Sequence, residues 1–181
     1  MLQYRWQFMT LLKNGRVVAG PYSHFKFYVM EIVSPKIPPI LELSGLIGEW
    51  DVEISAMSFR SDPSEKVQGR VSFKWLREEA FIIQHSEFPG TEFPTSSSVI
   101  GPDDTNEKYC MLYSDSRGVS RIYEMSLNNG LWKLWRNSAK FSQRFTGKLS
   151  DDGNLITAQW EKSEDGSNWK HDFDLRYTKA E

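Results

Sequence analysis

The sequence is poor in cysteine: its 181 residues include one, Cys110. A single thiol cannot form an internal disulfide and cannot supply the several ligands of a cysteine-rich zinc site. Such a composition suits a reducing compartment. The sequence also lacks a clean signal peptide, because its apolar stretch at residues 11–19 is interrupted by Lys13 and Arg16. We therefore predict a cytoplasmic protein.

Positive charge is not in excess either, since 22 Lys and Arg stand against 24 Asp and Glu, for a net charge of −2. A protein that wraps nucleic acid needs a positive surface to neutralise phosphates, so we expect no nucleic-acid partner. No run approaches the ~20 apolar residues that a membrane-spanning helix needs. We therefore expect no such span, and nothing in the sequence indicates an oligomeric state.

The familiar catalytic motifs are missing as well. The sequence contains no Gly-x-Ser-x-Gly elbow, no phosphate-binding loop, no dinucleotide fingerprint and no His-Glu-x-x-His motif. We predict no catalytic residues, no metal site and no cofactor, and an enzyme is the less favoured interpretation.

The N-terminal residues differ from the rest of the chain. Residues 1–29 contain no Asp or Glu and mix aromatic side chains with glycine and proline, and Met30 follows them. Two interpretations stay open: residues 1–37 form a loosely held extension, or Met30 is the true start. We place the folded domain at residues 38–178.

A two-residue alternation of apolar and polar side chains dominates that domain. In residues 50–54, for example, Trp50, Val52 and Ile54 alternate with acidic residues. Side chains of a strand point alternately to its two faces, so such a segment has one buried face. Ten segments are typical of strands: residues 48–54, 67–75, 80–87, 95–101, 108–114, 119–127, 131–136, 141–149, 155–162 and 169–178.

Short turns separate these segments. Asn129-Gly130 and Asp152-Gly153 suit tight hairpins, because these residue types tolerate the positive φ of such turns. Neighbouring strands joined by short turns pair antiparallel, and closing the sheet removes its exposed edges. Residues 40–47 have helical spacing over one or two turns, which could plug one end. The predicted fold is all-β: one antiparallel up-and-down barrel of about ten strands with a short N-terminal helical plug.

Several strings of residues resemble a known family. The Gly-x-Trp at Gly48-Glu49-Trp50, after the short helical segment, resembles the opening of calycin (lipocalin-like) barrels. Longer stretches resemble a family of uncharacterised bacterial calycin-like proteins: residues 43–53, 114–125, 132–136, 141–147 and 169–175. The resemblance implies the fold and assigns no activity. Fatty-acid-binding proteins and nitrobindins are similar in fold at a greater distance, and nitrobindins bind haem through a histidine near the C-terminal end.

The last strand carries a candidate site residue, His171. Alternation places it on the inward face with Trp169, Phe173 and Tyr177, and places Asp172 on the solvated face. Three roles stay open for an inward His171: a core histidine bonded within the protein, a polar contact to a ligand, or a ligand to haem iron or another metal. His85 is a further candidate for the lining of the lumen, although alternation does not decide which way it faces.

Other inward polar and aromatic residues are candidates for the lining of the lumen. Arg121 and Tyr123 share the inward face of one strand, where they could hold the carboxylate of a fatty acid or similar anion. The alternative is an arginine at the barrel mouth or one paired with an internal acid. Further candidates are inward by the same alternation: Gln143, Tyr109, Tyr113 and Trp50.

Three functions follow as hypotheses. The leading one is a barrel that binds a small apolar or amphipathic ligand in its lumen. The second is a haem- or metal-dependent protein of nitrobindin type that uses His171. The third is a non-catalytic structural or interaction domain whose barrel is filled by its own side chains. Whether the barrel is hollow separates the third from the others.

Overall fold

The structure, a computed structural model, describes residues 40–77, 80–90, 93–103 and 108–180. The predicted extension at residues 1–37, and His24 within it, lie outside the described residues. Within the described part of the chain, no helix is long and apolar enough to cross a membrane.

In the described residues, ten antiparallel strands form one closed barrel, in which each strand pairs with its neighbours in sequence and the first pairs with the last. The predicted all-β fold class is therefore confirmed. The strands are β1 (Gly48–Ser55), β2 (Val67–Arg77), β3 (Phe81–Glu87), β4 (Ser96–Asp103), β5 (Lys108–Asp115), β6 (Ser120–Asn128), β7 (Leu131–Arg136), β8 (Ser142–Leu149), β9 (Leu155–Ser163) and β10 (Lys170–Lys179).

Alternation along each strand separates the core from the outer surface. In β1, Trp50 and Val52 have no exposed area. The acidic residues that alternate with them point outwards and form ion pairs with basic residues of β2, Glu49 with Lys74 at 2.8 Å and Asp51 with Arg70 at 3.2 Å. These pairs are exposed, so they contribute little to stability. Burial of the inward apolar row is what drives the sheet to close.

Asn129 and Gly130 connect β6 to β7 with φ values of 50° and 72°. Both values lie in the left-handed region, as a two-residue hairpin of the I′ type requires. The sequence signal for this turn therefore predicts its geometry correctly.

A short 3₁₀ helix at Ile40–Leu46 (the plug helix) closes one end of the barrel. Leu43 and Leu46 of this helix have no exposed area. The indole N–H of Trp50 donates to the carbonyl oxygen of Leu46 at 2.8 Å, and the Tyr109 hydroxyl donates to the Glu42 carboxylate at 3.2 Å. The plug helix is thus fastened to the first and fifth strands.

The opposite end of the barrel, here called the mouth, lies where β1, β3, β5, β7 and β9 end. Chain direction alternates from strand to strand, so the connections after these strands all meet there. Residues early in β6, β8 and β10 are therefore near the mouth, and residues late in those strands are near the plug helix.

The alternation of β10 is broken near the mouth by a register shift between His171 and Phe173. A bulge of this kind inserts one extra residue into a strand and reverses the facing of what precedes it. The prediction for this segment is accordingly wrong: His171 is exposed, whereas Asp172 is 7% exposed. From Phe173 onward the predicted facing holds, since Phe173 packs against the core and Leu175 and Tyr177 are buried.

Candidate ligand-binding cavity

The barrel encloses a cavity of about 430 Å³. That volume falls within the range of small-molecule sites. Its inner part is apolar, with walls that include Val52, Val71, Leu134 and Leu175. Residues of the mouth connections, such as Phe59, also line it, so the cavity extends from the core to the mouth.

Aromatic rings form one wall of the cavity on β6 to β9. Trp160 contacts two other rings of this wall, with its ring 5.3 Å from that of Phe145 and 5.6 Å from that of Tyr123. Phe145 in turn meets Trp132 at 4.7 Å, nearly edge to face. Each pair lies in the distance range at which aromatic rings attract one another, so the wall is held in place by its own contacts.

A polar cluster lies on the same side of the barrel towards the mouth. The Oε1 atom of Gln143 accepts two hydrogen bonds, from the Arg121 guanidinium at 2.8 Å and from the Tyr123 hydroxyl at 2.7 Å. The guanidinium also lies 5.1 Å from the centre of the Phe141 ring. Burial raises the pKa of Tyr123, which keeps its hydroxyl protonated and able to donate. We call these three polar residues the Arg121 cluster.

Arg121 carries the charge of this cluster without a carboxylate partner. Within the described ranges, no Asp or Glu lies at ion-pair distance from its guanidinium. The nearby acids are already engaged, Asp115 by Arg117 and Asp172 by Lys162. A cation facing a low-dielectric cavity favours an anion beside it. The Arg121 cluster is therefore suited to receive an acidic group.

A second group of hydrogen bonds organises the mouth around Asp115. Its carboxylate accepts from the Tyr113 hydroxyl at 2.8 Å, the Arg117 guanidinium at 2.7 Å and the Arg117 backbone N–H at 2.9 Å. These bonds, led by that from the guanidinium, hold the pKa of Asp115 far below its usual range. Burial raises the pKa of Tyr113 to about 12. Asp115 thus orients both Tyr113 and Arg117, which line the cavity.

Replacement of Asp115 by alanine is expected to lower the free energy of unfolding by about 2 kcal/mol at pH 7, because the donors of Tyr113 and Arg117 lose their acceptor. Since the folded pKa is depressed, the stabilisation is present above the unfolded pKa of about 4 and is lost as pH falls below it. Urea unfolding of both proteins from pH 7 to pH 2 should show the difference narrowing with acid. A difference that does not depend on pH would contradict this role of the carboxylate.

The opposite wall contains polar residues that the sequence analysis missed. Gln84, Ser86 and Ser96 line the cavity from β3 and β4, and the two serine hydroxyls are 2.6 Å apart. The signal was present in the alternation of Ile82, Gln84 and Ser86. Alternation alone does not show that this face is the inward one, because the opposite face, with Phe81, Ile83 and His85, is equally apolar.

Lys162 and Asp172 fasten the connection after β1 to the mouth. The Lys162 ammonium donates to the Asp172 carboxylate at 2.7 Å and to the Ser58 hydroxyl at 3.1 Å. The backbone N–H of Ser58 also donates to the carbonyl oxygen of Asp172 at 2.8 Å. The next residue, Phe59, is thereby placed beside Phe173 and Phe93 at the mouth. Asp172, the residue inserted by the β10 bulge, therefore holds the connection after β1 in place at the mouth.

Four of the predicted site residues lie at the cavity, namely Arg121, Tyr123, Gln143 and Tyr113. Trp50 and Tyr109 are buried, as expected for inward residues, but they contact the plug helix instead. Whether any of these residues binds a ligand stays a prediction.

Both histidines of the described strands lie on the outer face of the barrel. His171 is bonded to Asp174 at 2.8 Å, and His85 is bonded to Ser97 at 3.0 Å and to Glu87 at 2.9 Å. The prediction of an inward His171 is wrong because of the bulge. His85 faces outwards because β3 turns Ile82 and Gln84 to the lumen.

No protein-family model matches the chain, and no curated protein matches it. Among solved structures, the crystal structure of Rv2717c from M. tuberculosis is similar, with a TM-score of 0.54 and 11% sequence identity. The similarity covers 80% of this chain and 98% of that chain. At this identity, the comparison supports the barrel fold alone.

Proposed function

We propose that this barrel, which we group with the calycin-like proteins, binds a small amphipathic ligand that carries an acidic group. The apolar part of the ligand occupies the cavity, and the acid lies against the Arg121 cluster near the mouth. The observation that supports this proposal most strongly is the cavity-facing guanidinium of Arg121, which has no carboxylate partner within the described ranges. When an anionic group binds there, its charge-assisted hydrogen bonds to the guanidinium replace the hydrogen bonds of the water that it displaces.

The proposal can be tested with matched pairs of ligands on the purified protein: 2-naphthoate with 2-naphthamide, and decanoate with decanamide. Each pair has nearly the same shape and differs in charge. At a ligand concentration of 100 times Kd, binding stabilises the folded state by about 2.7 kcal/mol, which corresponds to a rise in Tm of roughly 5–10 °C. We expect at least one acid to reach this shift and its amide to fall well short of it. No shift with any of the four compounds at millimolar concentration would count against the proposal.

The haem alternative required an imidazole inside the barrel. His171 and His85 are both on the outer face, so the described residues place no imidazole in the cavity. The alternative of a filled structural barrel required an interior occupied by side chains. The cavity of about 430 Å³ favours ligand binding over that alternative.

A further inference from the structure

The cavity wall on β3 and β4 carries a polar patch of Gln84, Ser86 and Ser96, and Ser98 is buried beside it. Register makes these residues direct neighbours, because Gln84 pairs with Ser98 and Ser86 pairs with Ser96. Ser86 is 7% exposed and Ser98 is 2% exposed. Four inward polar side chains in one block are unusual for a barrel wall, because burying a polar group is unfavourable unless it is hydrogen-bonded.

Two members of the polar patch have unused hydrogen-bonding capacity. The Oε1 atom of Gln84 is buried, and no residue of the described ranges bonds to it. In the pair formed by Ser86 and Ser96, either hydroxyl can be the donor. One hydroxyl hydrogen therefore remains free for another acceptor. A hydroxyl substituent of a ligand would use both groups, by donating to Gln84 Oε1 and accepting from the serine hydroxyl, whereas a hydrocarbon chain would leave them unpaired.

The polar patch lies across the lumen from the aromatic wall. In the closed ring of ten strands, β3 is five strands from β8 and β4 is five strands from β9. Phe145 of β8 and Trp160 of β9 therefore lie on strands across the ring from those that carry Gln84 and Ser96. A ligand in the cavity would have rings on one side and hydrogen-bonding groups on the other.

We propose that the ligand is an aromatic acid that also carries a hydroxyl group on its ring system. The rings pack against Phe145 and Trp160, the acid lies at the Arg121 cluster, and the ring substituent bonds to Gln84 and the serine pair. This inference rests on the proposed function and narrows its ligand from amphipathic acids in general to substituted aromatic ones. Plain fatty acids satisfy the Arg121 cluster but not the polar patch, and they bind more weakly for that reason.

The test compares decanoate, 2-naphthoate and a set of hydroxy-2-naphthoates that differ in the position of the hydroxyl, by isothermal titration calorimetry. We expect one isomer to bind about 3- to 10-fold more tightly than 2-naphthoate, which is the range of one hydrogen bond formed to a buried unpaired group. Gln84→Leu should abolish this gain, so that in this variant the best isomer and 2-naphthoate have Kd values within about 2-fold of each other. Gln159→Leu, the same change on the exposed outer face of β9, is the matched control and should preserve the gain.

The outcomes separate this inference from the proposed function. If the acids bind but no isomer gains over 2-naphthoate, or decanoate binds more tightly than every naphthoate, the inference is overturned and the proposed function stands. A gain that survives both Gln84→Leu and Ser86→Ala overturns it too, since the substituent then lies elsewhere. If none of the acids binds, the proposed function itself fails.

Discussion

Replacing Trp50 by alanine is expected to lower the free energy of unfolding by about 3–5 kcal/mol. The side chain has no exposed area, so its removal leaves a large void in the core. The change also breaks the hydrogen bond from the indole N–H to Leu46, which connects β1 to the plug helix. Urea unfolding at 25 °C, followed by circular dichroism, measures the loss.

A second tryptophan provides the control for this experiment. Trp135 is partly exposed on β7, where the Lys108 ammonium lies 5.1 Å from its ring. Trp135→Ala should cost less than about 1 kcal/mol, because little buried surface is lost. Trp50→Phe keeps most of the volume and removes the N–H, so it should cost an intermediate amount. Equal losses of unfolding free energy in Trp50→Ala and Trp135→Ala would show that the buried Trp50 beside the plug helix stabilises the fold no more than a partly exposed tryptophan does.

Arg121→Met is expected to weaken the binding of 2-naphthoate by about 30- to 100-fold. Methionine keeps much of the apolar stem of arginine but removes the guanidinium that faces the cavity, and a hydrogen bond between charged partners is stronger than a neutral one. The Kd of 2-naphthamide should change by less than about 3-fold, since an uncharged ligand does not need the cation. Calorimetric titration of both ligands against both proteins gives the four values required.

Arg176→Met is the matched control for the change in net charge. Arg176 is exposed on the outer face of β10, so its removal alters the overall charge equally without touching the cavity. We expect this variant to bind 2-naphthoate like the unaltered protein. A similar loss in both arginine variants would indicate a long-range field, and a similar loss for acid and amide in Arg121→Met would indicate a change of cavity shape. Either result would contradict the proposed contact between the Arg121 guanidinium and the acidic group of the ligand.

Most of the barrel could be predicted from local patterning, because a strand with one buried face repeats every two residues. β1 illustrates this, since Trp50, Val52 and Ile54 are all buried. The bulge in β10 could not be predicted in the same way. It reverses the facing of His171 and Asp172, and the inward Asp172 is bound by Lys162 of the neighbouring strand and by Ser58, which is 114 residues away in sequence.

The facing of β3 was ambiguous for a different reason. Phe81 and Ile83 are apolar but face outwards, and Phe81 packs over Gly101, where a Cβ atom would lie 2.6 Å from the ring. An apolar contact on the outer face of the barrel therefore produces the same alternation in the sequence as an apolar contact in the core. Alternation also gives the direction of a side chain but not its height along the barrel. Trp50 and Tyr109 are therefore inward as predicted, yet they belong to the plug end.

The C-terminal end of β10 and the mouth are at opposite poles of the barrel. Lys179 donates a backbone hydrogen bond to Asn154, and Ala180 donates one to Glu49, both beside the plug helix. A tether attached beyond β10 at the C-terminal side therefore starts at the end of the barrel that the plug helix closes. Coupled to a sensor surface in that way, the molecule would stand with its opening towards the flowing solution, and immobilised samples should take up small molecules as freely as dissolved ones.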